Sequence, residues 1–134
     1  MREIKFRGKT INGYWVYGNV SVIVKSMVVN PGTYISNEAG SPFAYQVRPE
    51  TVGQYTGRKD KKGTEIYEGD ILRSIHQPEP HPIVYDNACF MWGEYPLMVQ
   101  DDDEGNVEIL KETTWCEVIG NIYETPQLLE RRKL

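Results

Sequence analysis

Ile4-Lys5-Phe6-Arg7-Gly8-Lys9-Thr10-Ile11-Asn12-Gly13-Tyr14-Trp15-Val16-Tyr17-Gly18-Asn19-Val20-Ser21-Val22-Ile23-Val24 reads as a β-hairpin whose register follows from its residues. Successive side chains of a strand point to opposite faces, so Tyr14, Val16, Gly18, Val20, Val22 and Val24 make one continuous apolar face. Ile4 and Phe6 belong to the same set, with Lys5, Arg7 and Lys9 opposite. A two-residue turn at Asn12-Gly13 would pair residue 11 with residue 14 and set Lys5 beside Val20 on the apolar face. A three-residue loop, Ile11-Asn12-Gly13, pairs Phe6 with Gly18 and Ile4 with Val20. It needs left-handed backbone at its third position, where Gly13 stands. The even positions are then expected to face the core, and the basic side chains to share the outer face.

The same reading extends along the chain. Helical periodicity is scarce, while alternation and turn signals recur about every ten residues. Ser26–Asn30 and Phe43–Val47 read as strands separated by an exposed loop from Pro31 to Pro42. Gln54–Gly57 leads into the turn Asp60-Lys61-Lys62-Gly63, and Thr64–Tyr67 returns as a second hairpin. Glu68-Gly69-Asp70 punctuates the chain before Ile71–Ile75, and His76–Pro82 reads as a loop because of its three prolines. Ile83–Tyr85, Phe90–Trp92, Tyr95–Gln100 and Val107–Leu110 continue the β pattern, the last reached through the acidic turn Asp101–Gly105. Trp115–Tyr123 is the final strand, with Cys116, Val118, Gly120 and Ile122 on one face. Thr125-Pro126 supplies an N-cap and a first-turn proline for a helix from Gln127 to about Arg132, packed down by Leu128 and Leu129. The expected fold is mainly β: an antiparallel barrel-like or sandwich-like sheet with long loops and a short C-terminal helix.

At 134 residues the chain has room for one ordinary core, and a single domain over residues 1–134 is expected. Hydrophobic residues at 40% and charged residues at 25% are those of a folding, globular protein. The N-terminus has no apolar secretory segment and no run is long enough to span a membrane, so a cytoplasmic protein without a membrane partner is expected. Cys89 and Cys116 then stay reduced, read as small buried hydrophobes. The net charge of −4 is unevenly spread: residues 1–73 carry +4 and residues 74–134 carry −8. Such a chain is suited to attract an anion at one end or another copy head to tail, the alternative being two solvated faces.

Three separated segments carry a family resemblance. They are Arg2-Glu3-Ile4-Lys5-Phe6-Arg7, the central run Tyr55–Ile71, and Glu117–Leu129. Together, and in this order, they resemble the YopX family of small bacteriophage and prophage proteins over nearly the whole chain. Gly8–Gln54 and Ser74–Thr114 are the variable parts. The resemblance implies phage or prophage origin and a bacterial cytoplasm, leaves oligomerisation plausible, and carries no catalytic residue or cofactor. Physically, the central run is architecture: glycines at 57, 63 and 69 where the backbone reverses, and Tyr55, Ile66, Tyr67 and Ile71 to pack. Asp70 is expected to accept hydrogen bonds from nearby amides.

Candidate chemistry is thin. His76, His81 and Cys89 lack the spacing of a zinc site, and Cys89 with His81 or His76 and Asp86 is a chance-level triad. In Asp101–Gly105 a calcium loop would need carboxylates where Gln100 and Lys111 stand. No phosphate-binding glycine loop is present. Catalytic residues, metal and cofactor are therefore assigned as none. A metal-dependent nuclease using Glu65, Glu68 and Asp70 ranks last. The basic residues Lys5, Arg7 and Lys9 on one strand face, and Arg58, Lys59, Lys61 and Lys62 around a hairpin tip, are candidates for nucleic-acid binding. They would suit a β-barrel module for single-stranded nucleic acid, against which the acidic net charge argues. The leading expectation is a non-enzymatic phage accessory protein acting through protein contacts, with itself as a homo-oligomer or with a host or phage protein.

Overall fold

The structure, a computed structural model, describes residues 3–37, 44–74, 79–86, 89–93, 95–96 and 116–130. The strands are β1 (Phe6–Lys9), β2 (Trp15–Ile23), β3 (Gly32–Ser36), β4 (Ala44–Val47), β5 (Gly53–Lys59), β6 (Glu65–Tyr67), β7 (Asp70–Ser74), β8 (His81–Asp86), β9 (Cys89–Trp92), β10 (Tyr95–Pro96) and β11 (Cys116–Asn121). A 3₁₀ turn, Pro49–Thr51, precedes β5, and one short helix, α1 (Gln127–Glu130), follows β11. The strands form antiparallel ladders in the orders β4-β3-β2-β1-β5-β6 and β10-β9-β8-β7-β11. The mainly β expectation holds, but the barrel does not: both sheets are open, with edge strands that no continuous ladder joins.

The chain divides into two compact units, Ile4–Gln54 and Tyr55–Leu134 with Met1–Glu3, the boundary falling inside β5. In the first unit β1 and β2 pair in the register expected from the three-residue loop, Phe6 opposite Gly18 and Lys9 opposite Trp15. The loop closes with the Gly13 amide donating to the Thr10 carbonyl at 2.9 Å, and Gly13 has φ +89°. The strand expected at Ser26–Asn30 is absent. Ser26 Oγ accepts from the amides of Val28 (3.1 Å) and Val29 (3.2 Å), so these groups are satisfied in a local turn rather than a ladder. The strand lies instead at Gly32–Ser36, inside the stretch read as loop, and pairs with both β2 and β4. The sheet curls until Thr10 makes a single bridge to Val47. Gly8 has no room for a side chain there, since a Cβ would lie 2.9 Å from Cγ2 of Val47.

In the second unit Ile66, Leu72, Ile83, Phe90, Trp92 and Cys116 are buried together, with Val118 against them. Trp92 Nε1 donates to the Leu72 carbonyl at 3.1 Å, which lets the indole be buried without an orphan donor. His81 and Pro82, read as loop, open β8 opposite Leu72 and Ile71. Proline is tolerated at such a position because the start of a strand can spare a donor. The helix begins where expected, yet Thr125 does not cap it with its side chain. Its hydroxyl accepts from the Asn121 amide (3.0 Å) and donates to the Asn121 carbonyl (3.1 Å), tying the preceding turn instead. The expected elements or parts at Phe43, Ile75–Pro78, Leu97–Gln100, Asp101–Gly105, Val107–Leu110, Trp115 and Arg131–Lys133 lie outside the described residues.

Candidate contact surfaces

Each of the two units carries one candidate contact surface. In Tyr55–Leu134 the hairpin β5–β6 turns at Asp60–Gly63, where Gly63 has φ +84° and its amide donates to the Asp60 carbonyl at 3.0 Å. Asp60 organises this tip. Its Oδ1 accepts from the amides of Lys62 (2.8 Å) and Thr64 (2.9 Å), and its Oδ2 accepts from the amide of Val118 on β11 (2.9 Å). The Lys61 amide donates to the Cys116 carbonyl at 3.1 Å, so the tip is fastened to β11 by backbone as well. Asp70 plays the part expected of it, accepting from the Tyr67 amide at 2.7 Å. Asp60 was missed by the sequence reading, although an aspartate opening Asp-Lys-Lys-Gly is a known local acceptor for amides two residues on.

This fastening sets the environment of the basic tip. Lys62 Nζ lies 3.0 Å and Lys61 Nζ 3.9 Å from Oε2 of Glu117, and Arg73 Nη2 lies 4.0 Å from Oε1. The hydrogen bond and charge of Lys62, helped by Lys61 and Arg73, hold the Glu117 carboxyl below its ordinary range against the opposing effect of partial desolvation. Of the other tip candidates Arg58 is buried, whereas Lys59 is exposed and stands opposite Glu65. In the other unit Lys5 and Lys9 are half-buried and Arg7 is buried rather than solvated. The Arg7 guanidinium lies 4.6 Å and Lys9 Nζ 5.9 Å from the Trp15 ring centroid, so these two cations cover an aromatic face.

The version of the thiol triad that uses His81 is not brought together. His81 and Asp86 point to opposite faces of β8 and are about 17 Å apart along it. Cys89, half-buried beside Asp86, donates its thiol to the Phe90 carbonyl at 3.3 Å, while Cys116 is buried, and neither cysteine is in a disulfide. Among the described residues no three His, Cys, Asp or Glu side chains stand together as metal ligands would. His76 lies outside them.

The second surface, in Ile4–Gln54, is apolar. The face read as core is covered only in its middle: Val16 and Val20 are half-buried, while Tyr14, Val22 and Val24 are 70%, 68% and 82% exposed. Beyond β2 the exposure continues through Met27, Val28 and Val29. At the other end of β2 a groove of about 550 Å³ has a mixed lining, Ile11, Tyr14, Val16, Ala44 and Tyr45 with the polar Thr10, Asn12 and Gln46.

A crystal structure of protein EF1440 from Enterococcus faecalis is similar to this chain, with a TM-score of 0.55 and 28% identity over 96% of this chain and 99% of that one. No curated protein matches the sequence. The described residues contain no helix long and apolar enough to cross a membrane. The sequence profile of the YopX protein family matches residues 5–130, nearly the whole length, and the chain belongs to that family.

Proposed function

We propose that the protein is a phage or prophage accessory protein of the bacterial cytoplasm that acts through protein–protein contacts, as a homo-oligomer. The observation carrying this reading is the exposed apolar run at Val22, Val24, Met27, Val28 and Val29. Apolar side chains exposed close together along the chain supply the surface from which contact sites are made, singly exposed ones being ordinary. Sedimentation of the full chain at tens of micromolar tests the reading: an assembly larger than a monomer is expected, and a strict monomer overturns it.

A second reading, binding of single-stranded nucleic acid, is favoured by the convergence of Lys61, Lys62 and Arg73 on a single carboxylate, which leaves an excess of positive charge there. Neutralising Lys59, Lys61, Lys62 and Arg73 would then lower the salt dependence of binding by about 0.7 per lost phosphate contact. No binding of a labelled oligonucleotide at physiological salt removes this reading.

A further inference from the structure

In the Tyr55–Leu134 unit four charged side chains make a layered cluster. Arg73 and Glu117 are direct partners across the β7–β11 ladder. Lys61 and Lys62 are brought to them by the hairpin tip, which the Asp60 carboxylate and the Lys61 amide fasten to β11. Glu117 is the most covered of the four, 23% of its side chain being exposed, against 41% for Lys61, 67% for Lys62 and 52% for Arg73. The face turned to solvent is therefore cationic. Only Lys62, at 3.0 Å, is within hydrogen-bond length of the carboxylate; Lys61 at 3.9 Å and Arg73 at 4.0 Å are held by charge and do not spend their donors on it. Of the other charges on the hairpin, Asp60 and Arg58 are buried, one of each sign, and Lys59 stands opposite Glu65. They leave the positive excess of the cluster standing.

We infer that Lys61, Lys62 and Arg73 are a binding site for the phosphates of a single-stranded nucleic acid, with Glu117 as its positioning residue. The inference rests on the second, nucleic-acid reading and gives it a place and a means of adjustment. Glu117 gathers three cations that would otherwise repel one another and spread, so their donors converge before a ligand arrives. The same carboxylate repels the incoming phosphate and holds affinity below what the cations alone would give. The lysines approach Oε2 and the arginine Oε1, so the cations flank the carboxylate on two sides. A row of phosphates can meet both sides, which one small anion cannot do without displacing Glu117. Three cations and one carboxylate leave a charge of +2, which matches about two phosphates and so a salt slope of about 1.4 on a single strand.

The test uses the full chain and a labelled oligothymidine, with fluorescence anisotropy read over a range of salt. The wild type should bind at low salt. Lys61→Gln with Lys62→Gln and Arg73→Gln should lower the slope by about 1.4, while the charge-preserving Lys61→Arg with Lys62→Arg and Arg73→Lys should keep it. Should the glutamine variant fail to fold, Lys62→Gln alone, at the most exposed of the three, should lower the slope by about 0.7. Glu117→Gln should bind roughly fivefold more tightly at low salt, the difference being one unit charge at about 4 Å, although the same change weakens the fold. A carboxylate that served structure alone would lose affinity along with stability. Variants without the cations that bind as the wild type does overturn the site and leave the nucleic-acid reading to other residues. A Glu117→Gln affinity equal to or below that of the wild type overturns the positioning role. A wild type that binds no oligonucleotide overturns the inference and the nucleic-acid reading together.

Discussion

The two units of this chain use similar β-strand sequence to opposite ends. Among the described residues, Tyr55–Leu134 buries Tyr55, Ile66, Tyr67, Ile71, Leu72, Ile83, Phe90, Trp92 and Cys116, and exposes only Val84 and Tyr85 of its large apolar side chains. Ile4–Gln54 buries Ile35 and Val47 and exposes nine: Ile4, Ile11, Tyr14, Tyr17, Val22, Val24, Met27, Val28 and Val29. The first pattern is that of an element set satisfied within itself. The second is that of a surface whose apolar residues are available for association, because alternation supplies an apolar face whether or not the fold supplies a cover for it. Charge follows the same contrast. The basic tip of β5–β6 is drawn onto Glu117, while the basic face of β1 lies over Trp15.

The comparison breaks if burial does not govern the response to truncation. Leu72→Ala, in the buried cluster of the second unit, should destabilise by about 2–5 kcal/mol. Val24→Ala, at an apolar position of the first unit, should change stability by less than about 0.5 kcal/mol. Urea titration of both, in dilute protein so that assembly does not contribute, measures the difference. Equal losses would mean that the exposed face is covered in the folded chain.

A smaller effect sharpens the account of how the second unit holds its basic tip. Asp60→Ala leaves the amides of Lys62, Thr64 and Val118 without their acceptor and should cost about 3 kcal/mol, read as a shift of the urea midpoint at unchanged slope. Asp60→Asn, which keeps one carbonyl oxygen, should lose less. If the alanine variant is as stable as the wild type, the tip is held without Asp60, by the backbone bond from Lys61 to Cys116 and the pairs of Lys61 and Lys62 with Glu117.

The smallest expected effect is electrostatic. Glu117 titrates lower in the folded chain than its ordinary value of 4.5, so its contribution to stability is present above that value and is lost as pH falls through the folded value. Glu117→Gln should therefore be less stable than the wild type near neutral pH, and the gap should narrow below about pH 4.5 and with added salt. A gap independent of pH would assign the loss to packing or neutral hydrogen bonding rather than to the charges of Lys62, Lys61 and Arg73.

By itself the sequence determined what depends on neighbours along the chain. The three-residue loop at Ile11–Gly13 and its register were legible because pairing Lys5 with Val20 would mix faces, and Gly13 stands at the one loop position that needs left-handed backbone. The turn at Asp60–Gly63, the amide acceptor Asp70 and the helix start after Pro126 were legible for the same local reason. Only the tertiary structure decided what covers each face and which side chain reaches across to another strand. It left Val22 and Val24 in the open, buried Arg7 and Arg58, set β3 at Gly32–Ser36 within an apparent loop, and sent Asp60 to the amide of Val118, 58 residues away. Periodicity specifies which residues share a face. Burial is a property of what stands opposite that face, and strand composition alone does not name it.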